Sequence, residues 1–255
     1  MKLQKKIIVG NWKMNVATVK EAQTIVKVVK NKTLAIRRTD VIFCPPAVYL
    51  ADLKKSIQGS KKYGLGVQNI STEEKGSYTG EISATHVKQF SVSHVILGHS
   101  ERRKMGETDE AIAKKIREAL RLKMTPIFCI GETVRNDDGD YLQFIKGQIT
   151  KVLKGLSNAE ISEVIIAYEP VWAIGATQAM GAHDIHEMTL YIKKCLREIF
   201  KDYAGQVPVL YGGAVNTENA LGIVRDGFVD GLLIGRDSLE PENFANIIKM
   251  IDTLK

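Results

Sequence analysis

The chain is poor in cysteine, and its few cysteines follow none of the spacings that mark metal or redox sites. Cys44, Cys129 and Cys195 lie far apart, and no CxxC occurs. This pattern excludes a zinc ribbon, a zinc finger and a dithiol redox pair. An odd number of cysteines without a signal peptide is typical of a reducing compartment, so we expect a cytoplasmic protein.

The sequence also lacks a long apolar segment. The apolar run in the N-terminal stretch "MKLQKKIIVG" is too short for the core of a secretory signal. No segment approaches the about 18 apolar residues that a membrane-spanning helix requires. We therefore expect no membrane partner.

Positive charge is in excess, but it is not clustered. The formal net charge is +7 and the pI is about 9.2. Lysine and arginine are spread along the chain, and no basic stripe is interleaved with aromatic residues. A dispersed basic charge is typical of a solvated surface that attracts anions. We expect an anionic small-molecule partner and no nucleic acid.

One alternation is present from end to end, in which short apolar, β-branched runs are followed by longer amphipathic stretches. Apolar residues recur every three to four positions in 110–122 and 186–200, which predicts helices there. The predicted strands are 7–12, 41–45, 63–68, 93–98, 125–130, 163–170, 207–213 and 229–235.

Strands that are apolar almost throughout predict burial on both faces, and hence a parallel sheet. Eight strand–helix units in 255 residues predict an α/β fold, a closed (β/α)8 barrel. A single domain over 1–255 is expected, because no linker or low-complexity segment interrupts the chain. A doubly wound open sheet is the alternative, but no GxGxxG follows the first strand.

A barrel of this kind carries its site at the C-terminal ends of its strands. Polar residues stand there: Asn11 and Lys13 after the first strand, and His99 after the fourth. Taken alone, each has an ordinary structural explanation, such as a surface lysine or a structural histidine. Together with the carboxylate of Glu169 after the sixth strand, they predict a functional site at one mouth of the barrel.

Glu169 has an uncommon sequence context. In "AYEPVWAIG" it comes directly after an apolar run and directly before a proline, and an apolar loop with Trp172 and Gly175 follows. A carboxylate in this setting is either a strand-end salt bridge or a base over which a loop closes.

Glycines at the ends of the last two strands predict an anion site. Gly212 and Gly213 lead into Asn216 or Thr217, the predicted N-cap of a helix, and Gly235 opens the turn after the eighth strand. Glycine lets backbone N–H groups approach a ligand closely, and helix N-termini attract anions. Plain turn chemistry is the alternative, but two adjacent turns of this kind favour phosphate.

A metal site is not expected. His183, Asp184 and His186 offer ligand atoms within a short stretch. The better explanation is local, because Asp184 and Glu187 have the spacing of a capping box at a helix start.

Seven motifs in register resemble the triosephosphate isomerase family along essentially the whole chain. They are "GNWKMN", "GVQNIS", "GSYTGEIS", "LGHSERR", "CIGE", "AYEPVWAIG" and "YGGAVN". The resemblance implies a TIM barrel that interconverts glyceraldehyde 3-phosphate and dihydroxyacetone phosphate, with no metal or cofactor.

The resemblance also implies a role for each matching residue. Glu169 is the expected base, His99 the electrophile, and Lys13 with Asn11 the expected stabilisers of negative charge. A lid is implied at 170–180, and a homodimer is implied through the loop that carries Thr79. The substrate- and phosphate-binding residues are expected to be Gly175, Ala214, Leu233, Gly235 and Arg236, with Ser100, Glu101, Cys129 and Tyr211 in support.

The chain departs from the family at the lid and its partner. The family's Gly-Thr-Gly-Lys-Thr-Ala is here Gly-Ala-Thr-Gln-Ala-Met over 175–180, so that Thr177 replaces a glycine. Ala214 replaces a serine whose hydroxyl bonds the closed lid in the family. One lost neutral hydrogen bond is worth about 0.5–1.5 kcal/mol, so a slower enzyme is expected rather than an inactive one.

Arg236 is the third departure, since the family usually has glycine there. Its side chain either points to solvent, paired with Asp237, or adds a cation near the phosphate. Two alternatives to the isomerase remain at this stage. One is another phosphosugar isomerase on the same barrel, and the other is a phosphate-binding barrel with little or no turnover.

Overall fold

The computed structural model describes residues 5–136, 138–173 and 180–254. Eight parallel strands pair in sequence order, and β8 pairs with β1 to close a barrel. This confirms the predicted (β/α)8 barrel. The strands are β1 Lys6–Asn11, β2 Thr39–Cys44, β3 Tyr63–Val67, β4 Val92–Leu97, β5 Thr125–Ile130, β6 Ile165–Tyr168, β7 Val209–Tyr211 and β8 Gly231–Ile234.

Helices follow the strands and cover the outside of the barrel. The predicted helix at 110–122 is α5, and its N-terminus is capped by Thr108, whose side chain accepts a hydrogen bond from the Ala111 N–H. The helices are α1 Val19–Lys32, α2 Leu50–Ile57, α3 Ala84–Lys88, α4 Ser100–Lys104, α5 Asp109–Arg121, α6 Asp140–Leu153, α7 Asn158–Ile161, α8 Ala182–Phe200, α9 Ala220–Asp226 and α10 Pro241–Asp252. Within the three described ranges, no helix combines the length and apolar character that a membrane span needs.

Two predicted helix starts were wrong. The helix predicted at 186–200 is α8, which begins earlier, with Gly181 as N-cap, so Asp184 lies inside the first turn and forms no capping box with Glu187. Likewise α9 begins only at Ala220, with Asn219 as N-cap. Asn216 instead caps the turn before α9, because its Oδ1 accepts hydrogen bonds from the N–H groups of Glu218 and Asn219.

The strands are buried on both faces, and this explains their apolar sequences. Alternate residues point inward, so that Ile165 and Ala167 of β6 belong to a small cluster inside the barrel, while Ile166 packs outward under the helices. The same alternation places the next inward position of β6 at Glu169. In β1 it leads from Val9 to Asn11. The period of the strands therefore delivers these two polar side chains to the C-terminal mouth.

Candidate active site

A cavity of about 600 Å³ lies at the C-terminal ends of the strands. Its size is in the range of small-molecule sites. Eight of the predicted site residues line it, which are Asn11, Lys13, His99, Glu169, Ala214, Leu233, Gly235 and Arg236. Gly175 and most of the predicted lid lie outside the described residues.

Glu169 is buried at the inner end of this cavity, with 2% of its surface exposed. Its Oε2 accepts a hydrogen bond of 3.1 Å from the Ser100 N–H. Its Oε1 lies 3.3 Å from His99 Nε2 but has no hydrogen-bond partner among the described residues. Burying a carboxylate oxygen without a partner is costly, so this oxygen is the strongest candidate in the cavity for a reactive group.

The peptide groups around Glu169 leave no space for side chains. A Cβ on Gly131, at the end of β5, would lie 1.8 Å from the Glu169 carbonyl oxygen. A Cβ on Gly212, at the end of β7, would lie 3.0 Å from Glu169 Cγ. Glycine is therefore required at 131 by the backbone of Glu169, and the close contact with Gly212 limits where the Glu169 side chain can lie.

His99 is oriented by the first turn of α4. The Glu101 N–H donates a hydrogen bond of 3.2 Å to His99 Nδ1. Since Nδ1 accepts, the ring proton is on Nε2, which faces Glu169 Oε1 and the cavity. The imidazole is thus a neutral donor at the place where a carbonyl oxygen of a ligand could bind next to the carboxylate.

Lys13 is held in an uncommon backbone conformation, with φ of 52°. Its N–H donates to Asn11 Oδ1 at 3.0 Å, and its carbonyl accepts from Gln68 Nε2 at 2.8 Å. Positive φ is uncommon for a non-glycine residue and is enriched at functional sites, and Lys13 is the member of this group in the described chain that lines the cavity. The side-chain oxygen of Asn11 accepts this hydrogen bond, which turns the amide of Asn11 so that Nδ2 is left as a donor on the cavity wall.

The Lys13 ammonium forms an ion pair of 2.6 Å with Glu101. Burial acts to raise the pKa of Glu101, but the hydrogen bond and charge of Lys13 outweigh it, so its pKa is lowered. The Glu101 side chain is about half exposed, and such pairs are worth little in water. Lys13 can therefore exchange this partner for an anionic ligand at small cost.

Cys129 lies on the inner face of β5, fully buried. Burial raises the pKa of its thiol well above the usual value, and the nearby charge of Glu169 raises it further. Cys129 is therefore a neutral thiol that packs below the carboxylate. Its predicted supporting place beside the site agrees with this geometry.

Glu132, the last residue of "CIGE", was given no role from the sequence. Glu132 is buried, and its Oε1 accepts hydrogen bonds of 2.9 Å from both Tyr168 and Trp172. Its carbonyl also accepts from the Val171 N–H. Glu132 thus holds the chain on both sides of Glu169. No spacing rule in the sequence connects it with those residues.

The opposite wall of the cavity is built from backbone. None of the described residues accepts a hydrogen bond from the N–H groups of Gly213, Gly235 or Arg236. A Cβ on Gly213 would lie 2.2 Å from the Tyr211 hydroxyl, so this close turn requires glycine. N–H groups without partners can receive an anion, which is the role that the sequence predicts for this pair of turns.

Tyr211 connects this wall with the end of the predicted lid. Its hydroxyl accepts a hydrogen bond of 3.4 Å from the Met180 N–H. Burial raises the pKa of Tyr211 to about 12, so the hydroxyl stays protonated. Thr79 lies elsewhere, in an exposed loop whose base is closed by a hydrogen bond from the Ser71 N–H to the Ile82 carbonyl.

The residues considered for a metal lie away from the cavity. The side chains of His183, Asp184 and Glu187 place ligand atoms within 4.8 Å of one another, but all three are exposed on the outer face of α8. His186 points elsewhere and stacks on Phe228 at 4.5 Å. Exposed groups of this kind are common on protein surfaces, and none of them lines the cavity.

The geometry combines a buried carboxylate, a neutral imidazole donor and a lysine, with an anion-binding wall opposite. A base beside a donor for an oxyanion is the minimum needed to remove a proton next to a carbonyl group. The second wall suits a ligand that also carries a phosphate.

Comparison with known proteins agrees with this geometry. The model of the family described as triosephosphate isomerase matches residues 6–251. A triosephosphate isomerase from Endomicrobium trichonymphae is 38% identical over 249 residues, covering 97% of this chain and 99% of the relative. The motifs that resemble this family are therefore part of a similarity along nearly the entire chain, and the chain belongs to the triosephosphate isomerase family.

Proposed function

We propose that the protein interconverts D-glyceraldehyde 3-phosphate and dihydroxyacetone phosphate by proton transfer through an enediol(ate). The observation that carries this proposal is the pair formed by Glu169 Oε1 and His99 Nε2, 3.3 Å apart in a buried site. One atom can take a carbon-bound proton while the other donates to the adjacent oxygen. Family membership supports the same reaction.

In this mechanism Glu169 is the base and His99 the electrophile that polarises the carbonyl. Lys13 and Asn11 stabilise the negative charge that develops on the substrate. The N–H groups of Gly213, Gly235 and Arg236 receive the phosphate, and Ala214 and Leu233 complete that part of the wall. No step needs a metal or a cofactor, because acid–base groups alone move the proton.

Before reaction, Glu169 has to give up the Ser100 N–H that now holds its Oε2. A substrate bound between His99 and Glu169 would draw the carboxylate toward its carbon-bound proton. Ser100 thus acts as a resting partner for the base. Exclusion of water would then make the carboxylate a stronger base and protect the intermediate.

A lid over 170–180 is the proposed source of that exclusion, with Gly175 offering its N–H to the phosphate. Both flanks of this segment are anchored, by Glu132 to Val171 and Trp172 upstream, and by Tyr211 to Met180 downstream. Thr177 and Ala214 lack the glycine and the hydroxyl that form a closed-state hydrogen bond in the family. We expect this change to lower the rate roughly tenfold.

The same change favours a second candidate, a phosphate-binding barrel with weak or no turnover. In that case the cavity would bind a phosphorylated ligand without completing proton transfer. Lys13, His99 and Glu169 argue against this candidate, since a binding protein has no need of a buried carboxylate oxygen 3.3 Å from an imidazole nitrogen inside the cavity.

A coupled assay with glyceraldehyde 3-phosphate decides between the two. We expect turnover in the wild-type protein and its loss in Glu169→Ala, with binding of 2-phosphoglycolate measured by calorimetry for both. Binding without turnover in the wild-type protein would overturn the isomerase and leave the binding protein. The reaction is central to sugar breakdown and synthesis in the cytoplasm, which is the proposed location.

We also propose a homodimer through the loop that contains Thr79. The loop is exposed, with Tyr78 49% exposed near its tip, and Met14 beside Lys13 is 97% exposed. A second cavity of about 300 Å³ adjoins Lys13 and is lined by Gln68, Asn69, Glu81 and Arg102, among others. The tip of the loop from a second copy would fill this cavity and steady Lys13.

Size-exclusion chromatography with light scattering tests this assembly. We expect a dimer at micromolar concentration, and a shift to monomer with loss of activity in Thr79→Asp, because a buried, unpaired carboxylate would oppose docking. A fully active monomer of the wild-type protein would contradict the proposal.

A further inference from the structure

The outer part of the cavity carries an arginine with no ion-pair partner among the described residues, although the neighbouring Asp237 lines the same cavity. Two basic side chains, Lys13 and Arg236, line the cavity. The ammonium of Lys13 is paired with Glu101 at 2.6 Å. Arg236 is exposed and forms no ion pair within the described ranges, so the expected pair with Asp237 is not formed there.

Asp237, the next residue, forms no direct ion pair with Arg236 among the described residues, although the two charges attract each other. Burial raises the pKa of Asp237, against smaller lowering effects from the Thr217 N–H, the Arg236 charge and Asn243. Asp237 itself also lines the cavity. The Arg236 guanidinium is always charged, and its N–H donors are available to a ligand at the edge of the cavity.

The backbone that carries Arg236 is firmly held. The Ser238 hydroxyl and N–H both donate to the Gly235 carbonyl, at 2.6 and 3.0 Å, and Ser238 is fully buried. A Cβ on Gly235 would lie 3.6 Å from Lys13 Cε. Arg236 therefore follows directly on Gly235, whose Cα lies close to the Lys13 side chain.

The cavity of about 600 Å³ extends beyond the groups proposed to react. Beyond the reacting groups it is lined by Asn216, Asn219 and Leu239 as well as Arg236. Asn219 donates its side-chain N–H to the Ala214 carbonyl, and Asn216 uses its oxygen to cap the turn. Asn216 lines the same cavity as Arg236, and its amide Nδ2 is a second donor with no acceptor among the described residues.

We infer that Arg236 and Asn216 form a second anion subsite at the rim of the cavity, beside the proposed phosphate site on the backbone wall. Compounds that carry two phosphate or similar anionic groups then bind across both subsites and compete with the triose phosphate. This inference rests on the proposed function, since it places the first phosphate at the backbone N–H groups. Guanidinium groups bind phosphate through two parallel hydrogen bonds, which gives the subsite its selectivity.

The probes are inorganic pyrophosphate and inorganic phosphate, each titrated by calorimetry in buffer without divalent cations. The wild-type protein should bind pyrophosphate about tenfold or more tightly than phosphate. Arg236→Gln should weaken pyrophosphate binding about tenfold and phosphate binding by a distinctly smaller factor, since the backbone N–H of position 236 is kept and charge-assisted hydrogen bonds are lost only at the rim. Because Arg236 is exposed, this variant should fold normally.

Arg197→Gln is the matched control, because it removes the same charge from the exposed face of α8, away from the cavity. Arg197→Gln should bind both pyrophosphate and phosphate with affinities within about twofold of those of the wild-type protein. Equal losses for the two anions in Arg236→Gln would overturn the inference, because the guanidinium would then bind the first phosphate. The inference would also be overturned if the wild-type protein bound pyrophosphate no more tightly than phosphate. The same holds if Arg197→Gln lost as much pyrophosphate binding as Arg236→Gln.

Binding and turnover separate this inference from the proposed function. If the coupled assay shows no turnover but the pyrophosphate preference depends on Arg236, the subsite stands and the isomerase fails. If turnover is normal but the preference is absent, the subsite alone fails. In the expected case, pyrophosphate is also a competitive inhibitor of turnover, and Arg236→Gln relieves that inhibition about tenfold.

Discussion

The two walls of the cavity use different parts of the chain. The wall from β1, β4 and β6 presents side chains, among them Asn11, His99 and Glu169, and each has its position set by a specific hydrogen bond or close contact. The wall from β7 and β8 presents backbone N–H groups, and its close turn at Gly213 needs a residue without a side chain. The first wall should therefore be sensitive to the identity of a side chain, and the second to any added volume.

The largest effect is expected on the side-chain wall. Glu169→Asp retracts the carboxylate by one methylene and misplaces the base, so kcat should fall about 100-fold with little change in KM. Glu163→Asp is the control, since Glu163 is exposed near the other end of β6, and its kcat should be that of the wild-type protein. An unchanged kcat in Glu169→Asp would remove Glu169 from the role of base.

On the backbone wall, the test is an added methyl group. In Gly212→Ala the new Cβ would lie 3.0 Å from Glu169 Cγ, so the carboxylate must move by a few tenths of an ångström. We expect kcat to fall about tenfold. Gly205→Ala is the matched control, because nothing lies within 4 Å of its Cβ position. If the two variants have equal kcat, contact with Gly212 does not position Glu169.

Much of this difference between the walls could be predicted from the sequence, and some could not. The alternation within apolar strands, together with the closed barrel, brings Asn11, His99 and Glu169 to one mouth. Two hydrogen bonds could not be predicted, the one from the Ser100 N–H to Glu169 and the one from Trp172 to Glu132. They depend on contacts between the ends of β4, β5 and β6, which no local sequence pattern encodes. The start of α8 was mispredicted because Gly181 replaces the side-chain cap that the Asp184–Glu187 spacing indicated.

A smaller effect is expected where the two walls meet the proposed lid. The double variant Thr177→Gly, Ala214→Ser restores the family's glycine and hydroxyl, and one neutral hydrogen bond in the closed state should raise kcat roughly two- to tenfold. Steady-state kinetics of the double variant and of each single variant measure this. A gain in Ala214→Ser alone, equal to that of the double variant, would show that Thr177 already supports the bond.

The smallest effect on turnover is expected at the opposite end of the barrel. His94 lies near the start of β4, two residues before the inward-facing Ile96, and its Nδ1 is 2.8 Å from the Ser93 hydroxyl. Burial lowers the pKa of His94 to about 4 from 6.5. Because the unfolded chain binds this proton more readily, the free energy of unfolding should fall as pH decreases from about 6.5 to about 4, by at most about 3 kcal/mol.

Urea denaturation at a series of pH values, with the wild-type protein and His94→Asn, checks this dependence. The variant should lose part of the acid sensitivity, while its kcat at pH 7.5 stays within about twofold of the wild-type value, because no group in the cavity contacts position 94. If the free energy of unfolding fell equally with decreasing pH in the two proteins, His94 would not be the group that titrates. A large loss of kcat with unchanged stability would instead show that the two ends of the barrel interior are coupled, and the separation between a catalytic mouth and a structural floor would fail.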